Sequence, residues 1–156
     1  LFNTIDESIF ESNPFLLKKM NTSLIEYATF YGSIQIFQYL RLNKVGLTSS
    51  LWLYAIHGKN SELINILEEG NVGPDDKSFR KCFKEAIKCH HNEIAIYIKE
   101  NFVRENFYYE NKFSNDIFIS YCFNYYNINL LQEKLNPKFL FFYFCQFDTY
   151  LLSFFF

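Results

Sequence analysis

Apolar residues recur three and four positions apart in short blocks, and the blocks come in pairs split by a polar or glycine break. Leu24, Ile25 and Ala28 share one helical face, and beyond Gly32-Ser33 the residues Ile36, Phe37 and Leu40 share another. The pattern returns with Leu51, Trp52 and Ala55, then, past Gly58-Lys59-Asn60-Ser61, with Leu63, Ile64 and Leu67. A third copy has Cys82, Phe83 and Ala86, the break His90-His91-Asn92, and Ile94, Ala95 and Ile98. A worn fourth has Phe118, Ile119 and Cys122, the break Tyr126-Asn127, and Leu130-Leu131. Aligning Ala28, Ala55, Ala86 and Cys122 gives steps of 27, 31 and 36 residues. A period of this size marks stacked helix pairs, each unable to bury its apolar face without its neighbours. The expected fold is therefore all-α, a solenoid of about four helix–turn–helix repeats at 23–43, 50–70, 81–103 and 116–136.

Local signals sharpen these boundaries. Asn and Ser at the breaks suit helix N-caps, because their side chains accept from the unpaired N–H groups of a first turn. Ser33 is expected to cap the second helix of the first pair in this way. Asn13-Pro14 reads as another helix start, with Asn as cap and Pro at the first helical position. Residues 1–22 then form an opening segment, a partial repeat whose Phe15, Leu16 and Leu17 pack on the first full one. The alanine slot leaves room for only a small side chain. Trp52 shares its slot with Ile25, Phe83 and Ile119 and is expected in the core. Turn-rich loops lie at 43–49, 70–78 and 101–115, lengthening along the chain.

Composition adds little that is specific. Twenty Phe and twelve Tyr among 156 residues, with abundant Asn, Ile and Lys, share AT-rich codons, so the rings read first as core filling. Fifteen basic against seventeen acidic residues leave a net charge of −2. No concentrated basic face is visible, which argues against a nucleic-acid partner. The four cysteines, at 82, 89, 122 and 145, include no CxxC pair and fit a reducing, intracellular setting.

Candidate chemistry is sparse. Cys82, Cys89, His90 and His91 invite a zinc reading, but paired short spacings are missing and Cys82 belongs to the apolar slot series, so no metal or cofactor is expected. Cys89 beside His90 is a poor nucleophile–base pair, since such pairs are assembled from distant segments. No phosphate loop, G-x-S-x-G or H-E-x-x-H occurs, so no enzyme is expected. The acidic pairs Glu68-Glu69 and Asp75-Asp76 lack calcium-loop spacing and read as solvated ends. Residues 139–156 hold eight Phe, two Tyr and three Leu around the single charge Asp148. A packing helix over the last repeat is preferred there; a membrane anchor is the rival, set back by the carboxylate in mid-segment.

Ser23-Leu24-Ile25-Glu26-Tyr27-Ala28 with Gly32-Ser33 sits at the offsets of the ankyrin motif T-P-L-H-x-A-A-x-x-G-H, and the copy from Ser50 does likewise. With the stretches 50–70 and 82–102, the chain resembles a divergent ankyrin-like repeat domain of unknown function expanded in parasitic protists. The match spans 15–103 and loosens over 104–136. T-P-L-H is absent and the motif glycine stands only at Gly32. The resemblance implies a non-catalytic scaffold or adaptor that binds a protein partner. It also implies that the two positions after the paired alanines face a concave groove. Here these are Phe30 and Tyr31, His57 and Gly58, Lys88 and Cys89, and Asn124 and Tyr125.

Overall fold

A computed structural model describes residues 11–18, 22–75, 77–103 and 115–134. The described residues form nine helices and no strand. A short α1 (Pro14–Leu17) precedes four pairs: α2 (Leu24–Phe30) with α3 (Ile34–Leu42), α4 (Leu51–His57) with α5 (Ser61–Glu69), α6 (Arg80–Lys88) with α7 (Asn92–Asn101), and α8 (Asn115–Asn124) with α9 (Ile128–Lys134). Each first helix packs on its own second helix, and the first helices also pack in a row, α2 on α4, α4 on α6 and α6 on α8. One apolar cluster runs through all four pairs.

Every first helix ends in the same backbone lock. The carbonyls of Ala28, Ala55, Ala86 and Cys122 accept from the amides of Ser33, Asn60, His91 and Asn127, at 2.8, 3.1, 3.0 and 2.8 Å. Inside each loop a second bond closes, from Gly32 to Thr29, Lys59 to Ile56, His90 to Ile87 and Tyr126 to Phe123. These paired six-to-one and five-to-two bonds form a Schellman motif, which needs a left-handed residue just past the helix. Gly32, Lys59, His90 and Tyr126 fill that place with φ of 63°, 50°, 58° and 53°. Only the first is a glycine, yet the conformation holds in all four.

The residue after the left-handed position ties successive pairs together. His91 donates from Nδ1 to the Ile56 carbonyl at 2.7 Å, and Asn127 donates from Nδ2 to the Ile87 carbonyl at 3.0 Å. Burial of the His91 ring holds its pKa below the usual value, and so favours the neutral form. Asn127 also donates to Asn92 Oδ1, and its own Oδ1 accepts from the Leu130 amide. Asn60 caps α5 by accepting from the Leu63 amide at 2.9 Å. At the opposite end of the row, the Glu26 carboxylate accepts from the Ser23 amide and from the Ser50 hydroxyl, which joins the starts of α2 and α4.

The slot series behaves as its pattern implies. Ala28, Ala55, Ala86 and Cys122 are buried, and so are Ile25, Trp52, Phe83 and Ile119. The Trp52 ring meets Phe79 and Phe102 edge-on, and its N–H donates to the Val72 carbonyl. Asn13 caps α1 through the Phe15 amide, and Pro14 takes the first helical position.

Three expectations need correction. Leu24 and Ile36 were assigned to buried faces but are 36% and 49% exposed. Their counterparts Leu51, Cys82 and Phe118, and Leu63, Ile94 and Leu130, are buried. Phe118, for one, stacks on Phe83 of the pair before it, and α2–α3 has no preceding pair among the described residues. Leu17 is likewise 43% exposed, although Leu16 beside it is buried. Ser33 makes no side-chain cap bond; its place is fixed by its own N–H bond to Ala28. No helix among the described residues is long and apolar enough to cross a membrane, and the segment 139–156 lies outside them.

A left-handed backbone costs a non-glycine residue on the order of 1 kcal/mol. Replacing the exposed Lys59 by glycine is therefore expected to raise stability by up to about 1 kcal/mol in a denaturant melt, as strain relief exceeds the added chain entropy. A loss of stability in K59G counts against the left-handed lock at that position.

Candidate functional site

The C-terminal ends of α2, α4, α6 and α8 stand side by side, because the first helices form a row and each ends in the same lock. The eight residues assigned to a groove all lie at these ends, but they differ in character. Tyr31, Lys88 and Asn124 are exposed; Phe30, His57, Gly58, Cys89 and Tyr125 are half-buried. Neighbours touch along the row: the rings of Phe30 and His57 lie 6.1 Å apart, and Cys89 Sγ is 3.5 Å from His57 Nδ1. Lys84 places its ammonium 5.5 Å from the Tyr121 ring and 5.9 Å from that of Tyr125.

Part of this strip is already covered. Phe15 of α1 stacks on His57 at 3.7 Å and on Phe30 at 6.0 Å, and meets Tyr54 edge-on. The Glu11 carboxylate accepts from the hydroxyls of Tyr27 at 2.7 Å and Tyr31 at 3.3 Å. Those bonds, Tyr27 first, hold the Glu11 carboxyl below its usual range. Glu11 and α1 therefore sit over the first two pairs, and Phe30 and His57 serve as packing rings as much as surface.

Gly58 also turns inward. A Cβ built on it falls 2.3 Å from the Phe30 carbonyl oxygen and 3.1 Å from that of Thr29. No L side chain fits there without moving backbone, so this glycine sets how closely α4 approaches α2. It is not an open groove position.

The centre of the strip holds a cluster that the sequence reading missed. His57 donates from Nε2 to Glu85 Oε1 at 2.8 Å, and the same oxygen accepts from Lys88 Nζ at 2.7 Å. Cys89 Sγ lies 3.5 Å from Nδ1 and 3.8 Å from Nε2 of the same imidazole. Glu85 occupies the slot held by Tyr27, Tyr54 and Tyr121 in the other first helices. A lone carboxylate in a tyrosine series was the available signal. His57 is 28 residues from Glu85 and 32 from Cys89, so only the stacking of α4 on α6 brings them together.

The electrostatics follow from these contacts. The bond from His57, helped by Lys88 against the effect of burial, holds the Glu85 carboxyl down to about 2. Glu85 in turn raises the Lys88 ammonium. Burial pushes the Cys89 thiol up to about 11, with the Glu85 charge adding to it. A sulfur in line with one ring nitrogen would stand much farther from the other, so near-equal distances place Cys89 off the hydrogen-bond axis. A protonated thiol in that position is a weak nucleophile with no aligned base.

The other zinc candidates do not converge with Cys89. Cys82 is buried in the core, His90 is exposed at the left-handed turn, and His91 is committed to the Ile56 carbonyl. Cys122 is a second buried thiol, pushed up to about 12 by desolvation. Cys145 lies outside the described residues. No family model, curated protein or solved structure matches the chain.

The close approach at Gly58 gives a direct check. Gly58→Ala is expected to destabilise the protein by about 1–3 kcal/mol through overpacking, read as a lower denaturation midpoint. An unchanged midpoint would mean that α4 does not come this near to α2.

Proposed function

We propose that this chain is a non-catalytic protein-binding module, a scaffold or adaptor of ankyrin-like repeats working in a reducing, intracellular setting. The observation that carries this reading is the fourfold recurrence of one helix end. The lock after Ala28, Ala55, Ala86 and Cys122 repeats its hydrogen bonds and its left-handed residue in register. Repetition of that kind sets side chains at regular intervals along a rigid row, and a rigid surface loses little conformational entropy on binding.

The partner surface in this reading is the exposed part of the strip, Tyr31, Lys88 and Asn124, with the edge of Tyr125. Tyrosine suits an interface because it offers a large rigid ring at little rotamer cost. His57 and Gly58 drop out as groove residues, since one lies under Phe15 and the other against the α2 carbonyls. A catalytic role for Cys89 is disfavoured by its raised pKa and its position off the imidazole axis.

The test begins by using the full chain to capture a partner, which is then purified and titrated. Changing Tyr31, Lys88 and Asn124 together to alanine is expected to weaken that binding at least about tenfold, near 1.4 kcal/mol, with the melting temperature nearly unchanged. Undiminished affinity in the triple variant would move the interface off the first-helix ends.

A further inference from the structure

We propose that His57, Glu85 and Cys89 form a binding site for a divalent cation of the zinc class. The ligand atoms are His57 Nε2, Glu85 Oε1 and Cys89 Sγ, with the fourth position open to water. Among the described residues, these are the histidine, cysteine and carboxylate side chains whose donor atoms gather within 4.8 Å of one another. The site is independent of the partner-binding reading and can be tested on the protein alone.

The spacing suits a tetrahedron. Zinc bonds of about 2.0–2.2 Å to N and O and about 2.3 Å to S give edges near 3.3 Å for N to O and near 3.6 Å for N to S. Here Nε2 lies 2.8 Å from Glu85 Oε1 and 3.8 Å from Cys89 Sγ. The Nε2–Oε1 pair opens by about half an ångström to admit the ion, and Cys89 Sγ, which lies off the imidazole axis, swings to the Nε2 side of the ring about its side-chain torsion.

The scaffold holds two of the three ligands on one helix. Glu85 and Cys89 are one turn apart at the end of α6, where the Cys89 amide donates to the Glu85 carbonyl at 2.9 Å. His57 comes from the end of α4, and Phe15 stacked on its face at 3.7 Å limits rotation of the ring while leaving its edge free. All three side chains are half-buried, which is compatible with a site that is shielded yet reachable.

Donor chemistry selects the ion. One thiolate and one imidazole favour zinc, cobalt or a related transition metal over calcium or magnesium, which take all-oxygen shells. Three protein ligands with one open position is a pattern known for zinc.

Loading requires three rearrangements, each of which balances. Lys88 leaves the Glu85 oxygen; its side chain is 47% exposed, so it can swing into solvent. Cys89 releases its thiol proton to water as sulfur takes the metal. His57 binds as the neutral imidazole, its ring proton passing to Nδ1 through solvent.

The experiment is a titration of the reduced full chain with Co²⁺, followed by absorbance. The expected result is one Co²⁺ per chain, a thiolate-to-cobalt charge-transfer band in the near ultraviolet, and displacement by Zn²⁺. Cys89→Ser should abolish the band, and Cys145→Ser should leave it intact. Glu85→Gln should keep the band while weakening cobalt affinity at least about tenfold. Circular dichroism of each metal-free variant guards against unfolding; should C89S fail to fold, the E85Q affinity still decides. No band at millimolar cobalt overturns the proposal. So does a band that survives C89S, one lost in C145S, or an unchanged affinity in E85Q.

Discussion

One backbone hydrogen bond, made four times, organises this molecule. The carbonyl in the small-residue slot of each first helix accepts from the amide five residues later. That bond stops the helix, and the chain passes through a left-handed residue into the second helix. It places Ser33, Asn60, His91 and Asn127 in equivalent positions, and from there His91 and Asn127 reach back to the preceding first helix. The small slot matters for the same reason, since Ala55, Ala86 and Cys122 are fully buried at 0% exposure in the first helices that pack in a row. Local chain reversal and stacking between pairs thus depend on the same few atoms.

The repeat was legible in the sequence because burial follows position so closely. Trp52, Phe83 and Ile119 differ in size and shape, yet all three are buried in one slot. Periodicity alone could not show which end of the row is covered. Leu24 and Ile36 carry the pattern of their buried counterparts but lack a preceding pair among the described residues, so pattern and burial part company there. The turns were half legible. Asn and Ser at the breaks suggested side-chain caps, and Asn60 makes one, but the common element is a main-chain bond that any residue can supply. Lys59, His90 and Tyr126 adopt the conformation that glycine favours, so a search for the motif glycine finds only the first turn.

The candidate site was less legible, for a physical reason. Its members lie on two helices, and the side chains meet only because α4 stacks on α6. An ankyrin-type offset points to the first-helix ends as one strip, and contacts there link Phe30 to His57 and His57 to Cys89. It gives no sign that Phe15 folds over His57, that Gly58 abuts the Phe30 carbonyl, or that Glu85 replaces a tyrosine beside the histidine. The end of a repeat is where chain reversal, helix approach and exposed side chains coincide. The same strip therefore carries packing residues and exposed side chains together, and the exposed ones are the surface proposed for a partner.

The account stands on the four backbone locks, and amide hydrogen exchange followed by NMR reads them one at a time. If the locks form, the amides of Ser33, Asn60, His91 and Asn127 exchange at least about a hundredfold more slowly than in an unstructured peptide, alongside the core amides of the first helices. Exchange at the unstructured rate at the three inner positions, Asn60, His91 and Asn127, with the helices themselves protected, would contradict a chain built on a repeated helix end.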